Sequence, residues 1–125
     1  MFSPWTDLAI TGDSARANGR RCATLATSAA WYLGGTDVRN PLASPLYAEL
    51  AGLPPILLHV GENEVLLDDS RRLARARYAA VDCHLKIWPA APHAWQLFPA
   101  LPEARQSLDE ASVFLRAAAA ASRRG

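Results

Sequence analysis

Only two cysteines, Cys22 and Cys83, occur in the 125 residues. They are too few for a disulfide framework, and no Cys/His cluster has the spacing of a zinc site. Neither sign of charge is in excess: 13 Lys and Arg stand against 12 Asp and Glu, a formal net charge of +1. That balance excludes a nucleic-acid or anionic-membrane binder that works by bulk charge. Lysine is nearly absent, with Lys86 alone among many arginines. No apolar run approaches the roughly 18 residues of a membrane span. Met1-Phe2-Ser3-Pro4-Trp5 has neither the basic start nor the apolar core of a secretion signal, and no phosphate-cradling glycine loop occurs. The expected setting is cytoplasmic, with no nucleic acid and no membrane span.

What is present is the composition of a folded domain, 50% hydrophobic and 20% charged. The residues just after Met1 read as the interior of a domain and not as its polar, frayed edge. Residues 1 to 13, with Pro4, Gly12 and Asp13, read as a loop. Ala23, Ala26, Ala30 and Leu33 recur at helical spacing and predict a helix over about residues 22 to 33, stopped by Gly34-Gly35. A long loop rich in Pro and Gly covers residues 34 to 55. Ile56-Leu57-Leu58-His59-Val60 is a continuous apolar run, as in a strand buried on both faces of a parallel sheet.

Asp68-Asp69-Ser70 opens an Arg- and Ala-rich helical stretch to Ala80, the acids suiting its amino-terminal dipole. Its Arg71, Arg72, Arg75 and Arg77 read as a solvated basic face. Cys83-His84-Leu85-Lys86-Ile87-Trp88 alternates, as in a strand near a sheet edge. Pro102 opens a last helix whose apolar stripe is read as Ala104, Leu108, Ala111 and Leu115. The fold class is α/β with an incomplete parallel sheet: a loop and helix region over about 1–55, β-α-β-α units over 56–118 and a tail over 119–125.

Ligands of open parallel sheets sit beyond the carboxyl ends of the strands. That rule selects Gly61-Glu62-Asn63-Glu64 and Pro89-Ala90-Ala91-Pro92-His93-Ala94-Trp95, one with carboxylates and the other with a histidine. An acid that precedes and orients a histidine is the second half of a Ser…Asp/Glu…His triad in α/β-hydrolase order. His59 and His84 are read as structural, and Asp68 and Asp69 as caps of the helix that follows them.

Ser3-Pro4-Trp5-Thr6-Asp7-Leu8, Tyr32-Leu33-Gly34-Gly35, Pro41-Leu42-Ala43-Ser44-Pro45-Leu46, Gly52-Leu53-Pro54-Pro55, Glu64-Val65-Leu66-Leu67-Asp68 and Pro92-His93-Ala94-Trp95 follow one another along the chain. This series resembles the carboxyl-terminal portion of the bacterial hormone-sensitive-lipase-like esterases, which are α/β-hydrolase fold carboxylesterases. The resemblance puts the catalytic histidine at His93, with Ala94 in place of the family's glycine. It puts the triad acid at Glu64, with Glu62 the nearest rival and Trp95 available to an acyl pocket. It implies a small ester as substrate, no metal or cofactor, and a homodimer through about residues 83–88 and 103–118.

The family's nucleophile lies in a G-x-S-x-G elbow, for which this sequence offers only Gly12-Asp13-Ser14-Ala15-Arg16. Arg16 stands where a glycine is needed, no strand precedes the segment, and the family's elbow lies upstream of its SPWTDL segment. The expectation is therefore a carboxylesterase fragment, inactive in isolation, whose Glu64 and His93 serve an upstream serine. The alternative is a non-catalytic remnant or interaction module.

Overall fold

Two parallel strands, β1 (Ile56–Gly61) and β2 (Cys83–Trp88), pair in register from Ile56 opposite Cys83 to Gly61 opposite Trp88. They belong to a computed structural model that describes residues 1–17, 19–77 and 81–123. The free side of β1 is lined by Met1–Ser3: the His59 amide donates to the Met1 carbonyl at 3.0 Å and the Ser3 amide to the His59 carbonyl at 2.8 Å. With backbone on both sides, β1 buries Leu58, His59 and Val60, as its apolar run requires. β2 is the outer strand, and its exposed His84 pairs with Asp82 at 3.1 Å.

The helices are α1 (Asp13–Ala17), α2 (Gly19–Leu33), α3 (Leu67–Arg77) and α4 (Pro102–Ser122), with single 3-10 turns at Pro45–Tyr47 and Trp95–Leu97. The predicted helix over 22 to 33 thus starts earlier, and its buried side is not the alanine stripe. Ala29 and Leu33 pack against Leu8, with Trp5 and Ala43 beside them, while Ala23, Ala26 and Ala30 are exposed. Leu33 of the expected stripe is buried, and the helix is rotated so that Ala29 joins it against Leu8. α4 turns likewise: Ala104 and Ser107 are buried, whereas Leu108 and Leu115 of the expected stripe face out. It also runs to Ser122, into the stretch expected as a tail from residue 119, because the alanine run prolongs it. The end of the expected helix to Ala80, at 78–80, lies outside the described residues, as do 124 and 125.

α3 packs on one face of the sheet through Leu73 and Ala74 against Leu58, with Leu46, Leu50, Ile56 and Leu85 around them. On the other face Trp88 joins Ala91, Trp95, Ala104 and Leu101. The opening loop is clamped to α3 by buried charge. Asp7, fully buried, accepts from Thr11, from the Tyr47 hydroxyl at 2.9 Å and from Arg72 at 2.7 Å. Asp69 accepts from the amides of Thr6 and Asp7 at 2.8 and 2.9 Å. Arg72 is therefore not part of a solvated basic face; Arg71 and Arg75 are exposed, and the Arg77 side chain lies outside the described residues.

Candidate active site

β1 ends at Gly61, and the chain turns so that the Glu64 amide meets the Gly61 carbonyl at 3.3 Å. This folds the Glu64 side chain back over the strand end, where its exposure falls to 1%. A carboxylate buried so deeply requires donors on both oxygens. Oε1 accepts from the Gly61 amide and from the Ser3 hydroxyl, each at 2.6 Å. Oε2 faces His93 Nδ1 at 2.9 Å across 29 positions of sequence.

His93 stands on the loop beyond β2 with 58% of its side chain exposed. Facing a carboxylate that can only accept, Nδ1 carries the ring proton of the neutral imidazole. Nε2 is then left with its lone pair toward solvent, able to take a proton from a hydroxyl brought to it. The ring opens on a cavity of about 710 Å³ bounded by Arg21, Thr24 and Leu25 of α2, by Val65 and by Phe98.

The structure brings together Glu64 and His93 and keeps Glu62 apart, exposed, its backbone amide donating to the Trp88 carbonyl at 2.9 Å. Asp68 and Asp69 do not cap their own helix. Asp68 accepts from the Ser14 amide at 2.8 Å and so caps α1, while Asp69 holds residues 6 and 7. The first turn of α3 is satisfied from elsewhere: the Asp68 amide donates to Ser14 Oγ at 3.0 Å. Ser14 Oγ also donates to the Val65 carbonyl at 2.9 Å, a bridge between α1 and α3. Trp95 is fully buried, 5.6 Å from the Trp88 ring, its indole N–H on the Glu103 carbonyl, and does not line the cavity beside His93.

His59 lies under the sheet, its Nδ1 2.7 Å from Ser107 Oγ, and burial holds its pKa below the ordinary histidine value. The thiols of Cys22 and Cys83 are free and half-buried, and burial raises that of Cys83. Among the described residues no group of three or more His, Cys, Asp and Glu gathers to hold a metal, and no helix is long and apolar enough to cross a membrane. Ser3 and Gly61 are members of the site to which the sequence alone assigns no role. Ser3 opens the SPWTDL motif, and Gly61 closes the apolar strand, where a glycine hints at close backbone approach.

Residues 1–97 match a protein family described as alpha/beta hydrolase fold. The chain is 44% identical over 124 residues to an acetyl-hydrolase of Streptomyces hygroscopicus, covering 94% of this chain and 42% of the relative. It is 36% identical over 122 residues to an esterase of Acinetobacter venetianus, covering 91% and 40%. Among solved structures it is similar to an esterase from the bacterial hormone-sensitive lipase family, with TM-score 0.88 and 45% identity over 94% of this chain and 42% of that one. A hormone-sensitive lipase from a metagenome library gives TM-score 0.88 and 40% identity over 94% and 43%. The chain spans about two fifths of the length of the curated relatives it matches.

Proposed function

Because the chain belongs to the alpha/beta hydrolase fold family, we propose that Glu64 and His93 are the acid and base of a serine carboxylesterase whose nucleophile comes from outside these 125 residues. The observation that carries this reading is the 2.9 Å contact of His93 Nδ1 with a buried, fully donated Glu64 at adjacent strand ends. A serine hydroxyl presented to Nε2 gives up its proton as its oxygen attacks the ester carbonyl. Glu64 holds the ring in the competent tautomer and stabilises the imidazolium that forms. The imidazolium then protonates the departing alkoxide, leaving an acyl-serine. In the second half His93 activates a water by the same route, and the acid leaves with the serine restored.

Small acyl esters are the proposed substrates. The acetyl-hydrolase and esterase names of the relatives support this class, as does the apolar part of the cavity at Leu25, Val65 and Phe98. The chain by itself is proposed to be inactive, since Ser14 is engaged with Val65 and Asp68 at the α1–α3 junction. A homodimer through residues 83–88 and 103–118 is part of the same reading, supported by exposed Leu108, Val113 and Leu115 on α4.

A fluorophosphonate probe on the purified chain is the first experiment. No labelling is expected, and stoichiometric labelling of Ser14 would sink the claim of an external nucleophile. The DNA preceding codon 1 decides between the esterase part and a remnant. An in-frame G-x-S-x-G supports the former, and immediate stop codons support the latter.

A further inference from the structure

We propose that Ser3 is a positioning residue that locks Glu64 and the His93 loop to each other; this rests on the reading of Glu64 and His93 as a working pair. Ser3 is 4% exposed and bonds to three segments at once: β1, the turn at Glu64 and the His93 loop. Its amide donates to the His59 carbonyl of β1 at 2.8 Å. Its hydroxyl donates to Glu64 Oε1 at 2.6 Å, and the same oxygen accepts from the Ala94 amide at 3.4 Å. The donors run in one direction, from the Ala94 amide to the Ser3 hydroxyl to Oε1, while the neighbouring His93 ring donates to Oε2. Each carboxylate oxygen is thus tied to the loop that bears the histidine, once through Ser3 and once directly.

Backbone strain marks the same point. Among the described residues, four that are not glycine have positive φ: Ser3 at 42°, Ile10 at 53°, Ala90 at 54° and Ala94 at 52°. Two of these meet at the Ser3 hydroxyl. Such conformations persist only where their surroundings over-determine them. Ser3 takes its conformation between the bridge of Phe2 to His59 and Pro4, and this is what turns the hydroxyl inward. An alanine there leaves Oε1 with the Gly61 amide alone, and Glu64 can swing away from His93.

The test is the tautomer ratio of neutral His93, read from its ring nitrogen shifts by NMR in the 125-residue chain. The unaltered chain is expected to hold His93 in the Nδ1–H form. Ser3→Ala is expected to lower the Nδ1–H to Nε2–H ratio about fivefold, the effect of losing one ordinary hydrogen bond. Ser14→Ala removes another bridging serine and is expected to lower stability while leaving the ratio unchanged. Glu64→Gln is expected to abolish the preference. An unchanged ratio in Ser3→Ala, or an equal fall in Ser14→Ala, overturns the role of Ser3. An unchanged ratio in Glu64→Gln overturns the pairing of Glu64 with His93 itself. Should Ser3→Ala not fold, Ser3→Thr keeps the hydroxyl: the wild-type ratio supports the proposal, and the ratio of a free imidazole overturns it.

Discussion

Gly61 and Ala91 meet so closely that a Cβ on Gly61 would stand 2.1 Å from the Ala91 carbonyl oxygen and 3.0 Å from Glu64 Oε1. The end of β1 therefore lies against the loop that carries His93 with no side chain between them. This is what brings an acid after one strand within 2.9 Å of a histidine after the next. Gly61→Ala must push backbone apart, because the atom met at 2.1 Å is the backbone carbonyl oxygen of Ala91 and not the end of a flexible side chain. The expected loss is about 3 kcal/mol or more, read from urea unfolding. A variant as stable as the parent would show that the two strand ends are loosely joined.

Ala94 stands where the resembled esterases carry glycine, and its backbone is left-handed, with φ 52° and ψ 39°. Most residues resist that region, whereas glycine enters it freely. Ala94→Gly is expected to raise stability by about 0.5–1 kcal/mol, the relief of strain being partly offset by the greater freedom of the unfolded chain. Thermal unfolding checks this, and a lower midpoint would contradict it.

Asp7 supplies a pH dependence. Burial pushes its carboxyl up, but hydrogen bonds from Thr11, Arg72 and Tyr47 outweigh it and hold the pKa at about 2, against an ordinary 3.8. A depressed folded-state pKa contributes stability that is present above the unfolded value and lost as pH falls through the folded one. The loss is therefore expected from about pH 5 down to about pH 2, and amounts to about 2 kcal/mol. Asp69 pulls the other way, since burial raises it despite the Thr6 and Asp7 amides and Arg72. Asp7→Asn isolates the first effect. It is expected to destabilise at neutral pH and to flatten stability across that acid window, both measured by urea titration at several pH values.

The strands were legible because each is a short apolar or alternating run between strong breakers: Pro54-Pro55 before β1, and the loop from Pro89 after β2. The pairing of Glu64 with His93 was legible through their places at the two strand ends and the order of the motifs. Relations set by tertiary packing were not. Helical spacing shows that a stripe can form but not which stripe the sheet will cover: the spacing puts Leu108 inward, whereas it faces out. Asp68 and Asp69 sit in the first turn of α3 as cap residues would, yet their oxygens reach residues more than 50 positions earlier. Nothing local signals that reach. Trp95 adjoins His93 in sequence, but the left-handed turn at Ala94 sends its side chain into the core beside Trp88.

The most direct test of the central claim is ester hydrolysis by residues 1–125 joined to the amino-terminal part of the Streptomyces acetyl-hydrolase, with p-nitrophenyl acetate as substrate. Turnover is expected from the fusion. It should fall roughly a thousandfold in His93→Ala and by a comparable factor in Glu64→Gln, and stay unchanged in Glu62→Gln. Turnover within tenfold of the parent in His93→Ala, or a loss in Glu62→Gln in place of Glu64→Gln, would contradict the assignment.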